Sequence, residues 1–205
     1  MKSSLKHFAL ASAATLLLAV SAAAQSQKQE PAAKADPLDK FRDAAIESAR
    51  GNPDVAARQL TNADPLVRQR AAEELARLAP ADKRRLVEGY RLQEKNERVR
   101  LALDWALFRL GKPEAIYAVV RALGTNRYNQ SQAYLAELDS PAPLHGFIAR
   151  TKGESLARLI ESLARVGNAE TLEKIKPYAS SSDPRVADAA RFAEREITRR
   201  LNAPS

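Results

Sequence analysis

Two columns of aliphatic residues recur along the chain, and no other feature restricts its fold as much. Leu75, Leu107, Leu135 and Leu163 form the first; Leu78, Leu110, Leu138, Val166 and Ile197 form the second, at steps of 32, 28, 28 and 31 residues. A period of that size marks a chain built from repeated units, each of which buries its apolar face only against a neighbour. Within a unit the apolar positions return every three or four residues, the spacing of one helix face. Ala and Leu supply most of the apolar mass, aromatics are 5%, and no run of Val, Ile and Thr alternates at period two. These observations predict an all-α fold, an α-α superhelix of about five helical hairpins over residues 38–201, behind an N-terminal capping helix.

Each hairpin reads as a shorter first helix and a longer second one. The first helices fall at 54–60, 82–92, 113–123, 141–149 and 169–179; the second at 65–79, 97–110, 127–138, 154–166 and 184–201. Pro113 and Pro141 suit a first turn, where a missing amide costs nothing. Asp64, Asn96, Asn126, Thr151 and Asp183 stand where second helices need a side-chain acceptor for unpaired amides. Gly111 and Gly167 occupy the same place after two of them. Ahead of the repeats, Leu38, Phe41, Ala45, Ile46 and Ala49 give one helical face, stopped by Gly51-Asn52-Pro53, which reads as the cap on the open end. The stretch Asn96 to Gly111 is apolar on most sides, with Leu101, Trp105 and Phe108 outside the columns, and so belongs in the middle of the stack. The third second-helix, Arg127 to Tyr134, is polar where the others are apolar, and reads either as a weakly packed surface turn or as a hydrogen-bonding contact patch.

The openings of the second helices carry a family resemblance. Asp64-Pro65-Leu66-Val67-Arg68 leading to Leu75-Ala76-Arg77-Leu78, and Asn96-Glu97-Arg98-Val99-Arg100 leading to Leu107-Phe108-Arg109-Leu110-Gly111, resemble the bacterial HEAT repeat, also called the phycobilisome-lyase-type HEAT-like repeat. Asp183-Pro184-Arg185-Val186 matches the opening, with Ala187 in place of the arginine; the third and fourth units keep only the leucine columns. The resemblance implies an α-solenoid whose second helices line one surface, and a family that is mostly scaffolding. It also implies a lesser alternative, a lyase-type enzyme.

The first 24 residues stand apart from the repeats. Lys2, Lys6 and His7 precede an apolar run from Phe8 to Val20, and Ala22-x-Ala24 then supplies small residues before Gln25. Basic start, short apolar run and small-residue ending are the parts of a cleavable secretory signal, and the run is shorter than the ~20 residues a membrane span requires. The expectation is cleavage after Ala24, a periplasmic or secreted location and no transmembrane anchor afterwards. Residues 25–37 are polar, with two prolines, and read as a disordered leader; residues 202–205 are a short tail.

Chemistry-bearing motifs are few. The chain has no Cys, and after the signal its one histidine is His145. There is no Gly-rich phosphate loop, no His-Glu-x-x-His and no carboxylate partner for His145 at metal-ligand spacing. The sequence therefore gives no catalytic residue, cofactor or metal site, and the expected partner is another protein. Charge supplies the candidate contacts. Arg77, Arg109 and Arg165 share one position of the second helices, and Arg68 and Arg100 share another. Such columns either bridge adjacent repeats or offer planar forks to a partner's carboxylates or phosphates. Trp105 is core, or an interface anchor if it reaches the surface. Without Lys2 and Lys6 the net charge falls from +8 to 31 − 25 = +6, and the densest excess, seven basic against three acidic residues, lies between Lys83 and Arg100. Lys83, Arg84 and Arg85 thus form a candidate patch for an anionic envelope polymer or membrane surface. Export argues against nucleic acid as a partner.

Overall fold

A computed structural model describes residues 37–203. The expected signal segment, nearly all of the leader and residues 204–205 lie outside the described residues. The described chain is helical from end to end, and no strand occurs among the described residues. It begins with α1 (Pro37–Ala49). Five hairpins follow: α2 (Pro53–Gln59) with α3 (Pro65–Leu78), α4 (Arg84–Gln93) with α5 (Glu97–Arg109), α6 (Ile116–Ala122) with α7 (Tyr128–Leu135), α8 (Ala142–Ile148) with α9 (Gly153–Val166), and α10 (Ala169–Ile175) with α11 (Pro184–Leu201). Second helices pack side by side through the stack, α3 on α5, α5 on α7, α7 on α9 and α9 on α11, while the first helices form the other layer. This is the α-α superhelix that the columns require.

Local chemistry explains the element ends. The Asp64 carboxylate accepts from the Leu66 amide at 2.8 Å, Asn96 Oδ1 from Arg98 and Val99, and Asp183 from Arg185 at 3.0 Å. Asn126 and Thr151 do not cap. At α7 the cap position falls to Arg127, without a side-chain bond, and the Thr151 hydroxyl instead donates to the Phe147 carbonyl at the end of α8. Several first helices open or close on a tighter 3-10 turn: Ala81–Lys83 before α4, Pro113–Ala115 before α6 and Lys176–Ser180 after α10. Gly111 takes φ +86°, the left-handed conformation that glycine adopts without penalty, and Ala79 stands at the same place after α3 with φ +48°. Gly167 departs from that equivalence. It has an ordinary φ of −63°, and its hydrogen is required because an added Cβ would lie 2.6 Å from Ile197 Cδ1 and from the Leu163 carbonyl.

The core lies between the two helix layers. Every member of the first column is buried, as are Leu110, Leu138 and Ile197 of the second; Leu78 and Val166 are half-buried. Around them Ala71, Ala72, Ala102, Ala106, Ala189, Ala190 and Ala193 let neighbouring helices approach closely. Capping by α1 uses only the C-terminal half of the expected face, Ala45, Ile46 and Ala49. The helix packs on α2 and α3 with Ala49 buried, and Gln59 donates to the Ala45 carbonyl, but Phe41 is 75% exposed and Leu38 also faces outward. The third hairpin needs a correction as well. α7 is no loose surface turn, because its polar side chains bond inward: Ser131 Oγ donates to the Val119 carbonyl at 2.6 Å, and Gln130 Nε2 to the Arg98 carbonyl at 2.9 Å.

Candidate partner-binding surface

The arginine columns divide once the helices are packed. Arg68 is turned into the structure. Its Nε and Nη2 bond both oxygens of Glu94 at 2.8 and 3.1 Å, and Nη1 donates to the Asn62 and Ala63 carbonyls. That fork ties the loop before α3 to the end of α4, and it holds the Glu94 carboxyl below its ordinary pKa. Arg109 is similarly engaged, donating to the Glu137 carbonyl at 3.1 Å with its guanidinium 5.7 Å from the Trp105 ring centroid. Arg77 stays exposed and pairs with Glu74 on its own helix, Nη2 to Oε1 at 2.6 Å. Arg100 and Arg165 have no acidic partner among the described residues and face solvent.

Trp105 is core. It is 1% exposed, and the reason is non-local. The Tyr134 ring, from the next hairpin, stacks on it at 5.6 Å and 4°, and Phe108 stacks at 5.5 Å. The Tyr134 hydroxyl donates to Glu73 Oε1 at 2.7 Å, which also accepts from Gln69, so a side chain from the hairpin before completes the cover. Burial, then the Glu73 charge, push the Tyr134 phenol far above its ordinary pKa. Tyr134 is itself 4% exposed, so a partner meets Glu73 and Arg109 over this helix, and not Trp105 or Tyr134.

The open surface lies further along the stack. The second helices α7, α9 and α11 line a groove of about 1360 Å³ that contains Arg165. Its floor is made of small side chains, Ala133, Ala136, Ala157, Ala164 and Ala189, and Phe192 stands in it 44% exposed. The charges in the groove balance, with Arg158, Arg165, Arg185 and Arg200 against Glu154, Glu161, Asp188 and Glu196. Most are already engaged. Arg158 pairs with Glu154, donates to the Leu123 carbonyl at 2.7 Å and lies 3.8 Å over the Tyr128 ring; Arg200 donates to the Ala164 and Gly167 carbonyls. Arg165 and Phe192 remain available. Phe192 was missed in the sequence reading, although it sits five residues before the second column, at the position Trp105 holds in α5.

The expected anion patch is partly neutralised. Lys83 Nζ bonds Asp54 at 2.6 Å and Asp82 at 3.0 Å, contacts that raise its pKa, while Arg84 and Arg85 stay exposed. His145 is not a surface residue. Nε2 lies 2.8 Å from Thr171 Oγ1 and Nδ1 3.3 Å from Glu170, which joins α8 to α10. The Thr-His-Glu order resembles a nucleophile relay, but Thr171 is 0% exposed and its hydroxyl is held by Asn168 in the cap of α10, so a substrate has no access to it. No group of three or more His, Asp and Glu side chains suited to a metal occurs among the described residues, and none of the described helices is long and apolar enough to cross a membrane.

Stacked hairpins with an open groove on their second helices define a helical-repeat solenoid. Residues 53–138, from the start of α2 to the end of the third hairpin, match the family model of HEAT repeats, which supports a HEAT-like repeat family. HEAT repeats generally serve as protein-interaction scaffolds. No curated protein matches the chain.

Proposed function

We propose that this chain is an exported, non-enzymatic HEAT-like scaffold that binds a segment of another envelope protein along the α7–α9–α11 groove. The groove carries the reading. An alanine floor admits the close approach of a helix or extended segment, Phe192 offers the apolar anchor that interfaces concentrate energy on, and Arg165 offers a free planar fork. Because the groove's other charges are largely paired within the chain, affinity there comes from shape and apolar contact. The Asp-Pro-x-Val-Arg opening at Asp64–Arg68 points to the bacterial, phycobilisome-lyase-type branch of the HEAT-like repeats. Export rests on the basic start, the apolar run and Ala22-x-Ala24. Amino-terminal sequencing of the protein from an envelope fraction is expected to begin at Gln25; a start at Met1 in the cytoplasm defeats that part. For the groove, a photo-crosslinking residue replaces Phe192 in one variant and Leu92, which is exposed on α4, in another. A discrete adduct from position 192 and none from 92 is expected, and equal labelling from both would remove the groove assignment.

A further inference from the structure

A second surface, lined by different residues, differs from the first in charge. Two adjoining hollows of about 420 and 650 Å³ share Asp104, Ala118 and Arg121, and so form one continuous groove across α5, α6 and the start of α9. Its lining holds six cations, Arg91, Arg100, Arg121, Arg127, Arg150 and Lys152, against the three acids Glu97, Asp104 and Glu114. Two of those acids are spoken for: Asp104 bonds Arg91 at 2.6 Å and Glu97 lies 3.9 Å from Arg127. Arg100, Arg121, Arg150 and Lys152 are exposed and have no acidic partner among the described residues. Unpaired like charges facing one groove repel each other in the free protein, and a ligand carrying the opposite charge relieves that repulsion. At the 650 Å³ end the groove is also aromatic. Tyr117 is 55% exposed and meets Phe147 edge-on at 4.7 Å.

We infer that this groove binds an acidic linear peptide of another protein, one that carries an aromatic or branched aliphatic residue among its carboxylates. Arg100, Arg121, Arg150 and Lys152 take the carboxylates, and the Tyr117–Phe147 pair takes the apolar residue. A polyphosphate or sulfated polymer would satisfy the cations and leave the aromatic end unused, which is why a peptide is the better fit. The chain's own leader does not supply the ligand, because Lys28 and Lys34 cancel Glu30 and Asp36 over residues 25–36. The inference is independent of the α7–α9–α11 reading, since the two grooves share no lining residue.

The test is fluorescence anisotropy with a fluorescein-labelled glutamate peptide interrupted by one Phe-Leu pair, titrated with the purified protein. Binding is expected to weaken steeply between about 0.05 and 0.3 M salt, as contacts among exposed charges do. R121E/R150E should weaken it at least about tenfold, and Y117A several-fold. R84E/R85E should change it less than about twofold. Circular dichroism checks each variant, and R121A/R150A replaces the reversal if that variant does not fold. A peptide with Ala in place of Phe-Leu should bind wild type as weakly as the parent peptide binds Y117A. The inference is overturned if the peptide does not bind, if the Ala peptide or inorganic polyphosphate binds as tightly as the parent, or if R84E/R85E weakens binding as much as R121E/R150E.

Discussion

At the scale of single residues, two polar contacts convert packing into measurable pH behaviour. Tyr134 is buried against Trp105 with its hydroxyl on Glu73, and both effects favour the neutral phenol in the folded state. Its folded pKa is raised, so its contribution is complete below the ordinary value of 10.0 and is lost as pH rises above it. Tyr134→Phe removes the hydroxyl and leaves Glu73 with its Gln69 donor, so urea unfolding at pH 7 should show a loss of about 1 kcal/mol. Between pH 10 and 11 wild type should then lose stability faster than the variant; parallel slopes would show that the phenol is not held neutral. Arg68 works in the opposite direction. Its fork lowers the Glu94 pKa, so that contribution is present above the ordinary value of 4.5 and is lost as pH falls through the lowered one. Arg68→Ala leaves Glu94 poorly paired in a largely buried position and should cost about 2–3 kcal/mol at pH 7. The gap between variant and wild type should narrow in acid, and a constant gap would assign the loss to packing alone.

At the scale of elements, helix endings separate sites that the sequence makes look alike. Ala79 and Gly111 both follow the second leucine column and both adopt positive φ, but only one is glycine. A left-handed alanine is strained by about 1–2 kcal/mol, and glycine gives part of that back through its freer unfolded chain. Ala79→Gly should therefore raise the unfolding free energy by about 0.5–1 kcal/mol in thermal or urea melts; destabilisation would mean that the Ala79 side chain has a packing role. Much of this level was legible in advance. The leucine columns end up buried and Asp64, Asn96 and Asp183 cap, because spacing and capping depend on residues within one or two turns. Asn126 failed because Thr125 Oγ1 already accepts from the Arg127 amide, which delays α7 to Tyr128. Trp105 could not be placed from its own helix, since Tyr134 and Glu73, which cover it, come from the hairpins after and before. Arg121 and Arg150 lie in no basic run, and only the stacking of hairpins brings them to one groove with Arg100, whereas the basic run starting at Lys83 is partly neutralised by Asp54 and Asp82.

At the scale of the molecule, a solenoid presents separate surfaces on a common frame, and here charge distinguishes them. The α7–α9–α11 groove carries four cations and four anions, most of them paired, whereas the groove across α5 and α6 carries six cations against three anions. Binding in the first should tolerate salt, and binding in the second should not. Ala133 offers a way to close the first groove alone. It is exposed on α7 among the alanines of the floor and lines no part of the second groove. Ala133→Trp would place a large side chain over the floor from an exposed position, so folding stability should stay within about 0.5 kcal/mol of wild type. The adduct formed from a crosslinker at position 192 should fall at least about tenfold, because a steric block in a closely packed contact removes its central area. Affinity for the acidic peptide should not change. If the substitution weakens peptide binding and leaves the adduct intact, the two surfaces have been assigned to the wrong partners; if it weakens both, they act as one site.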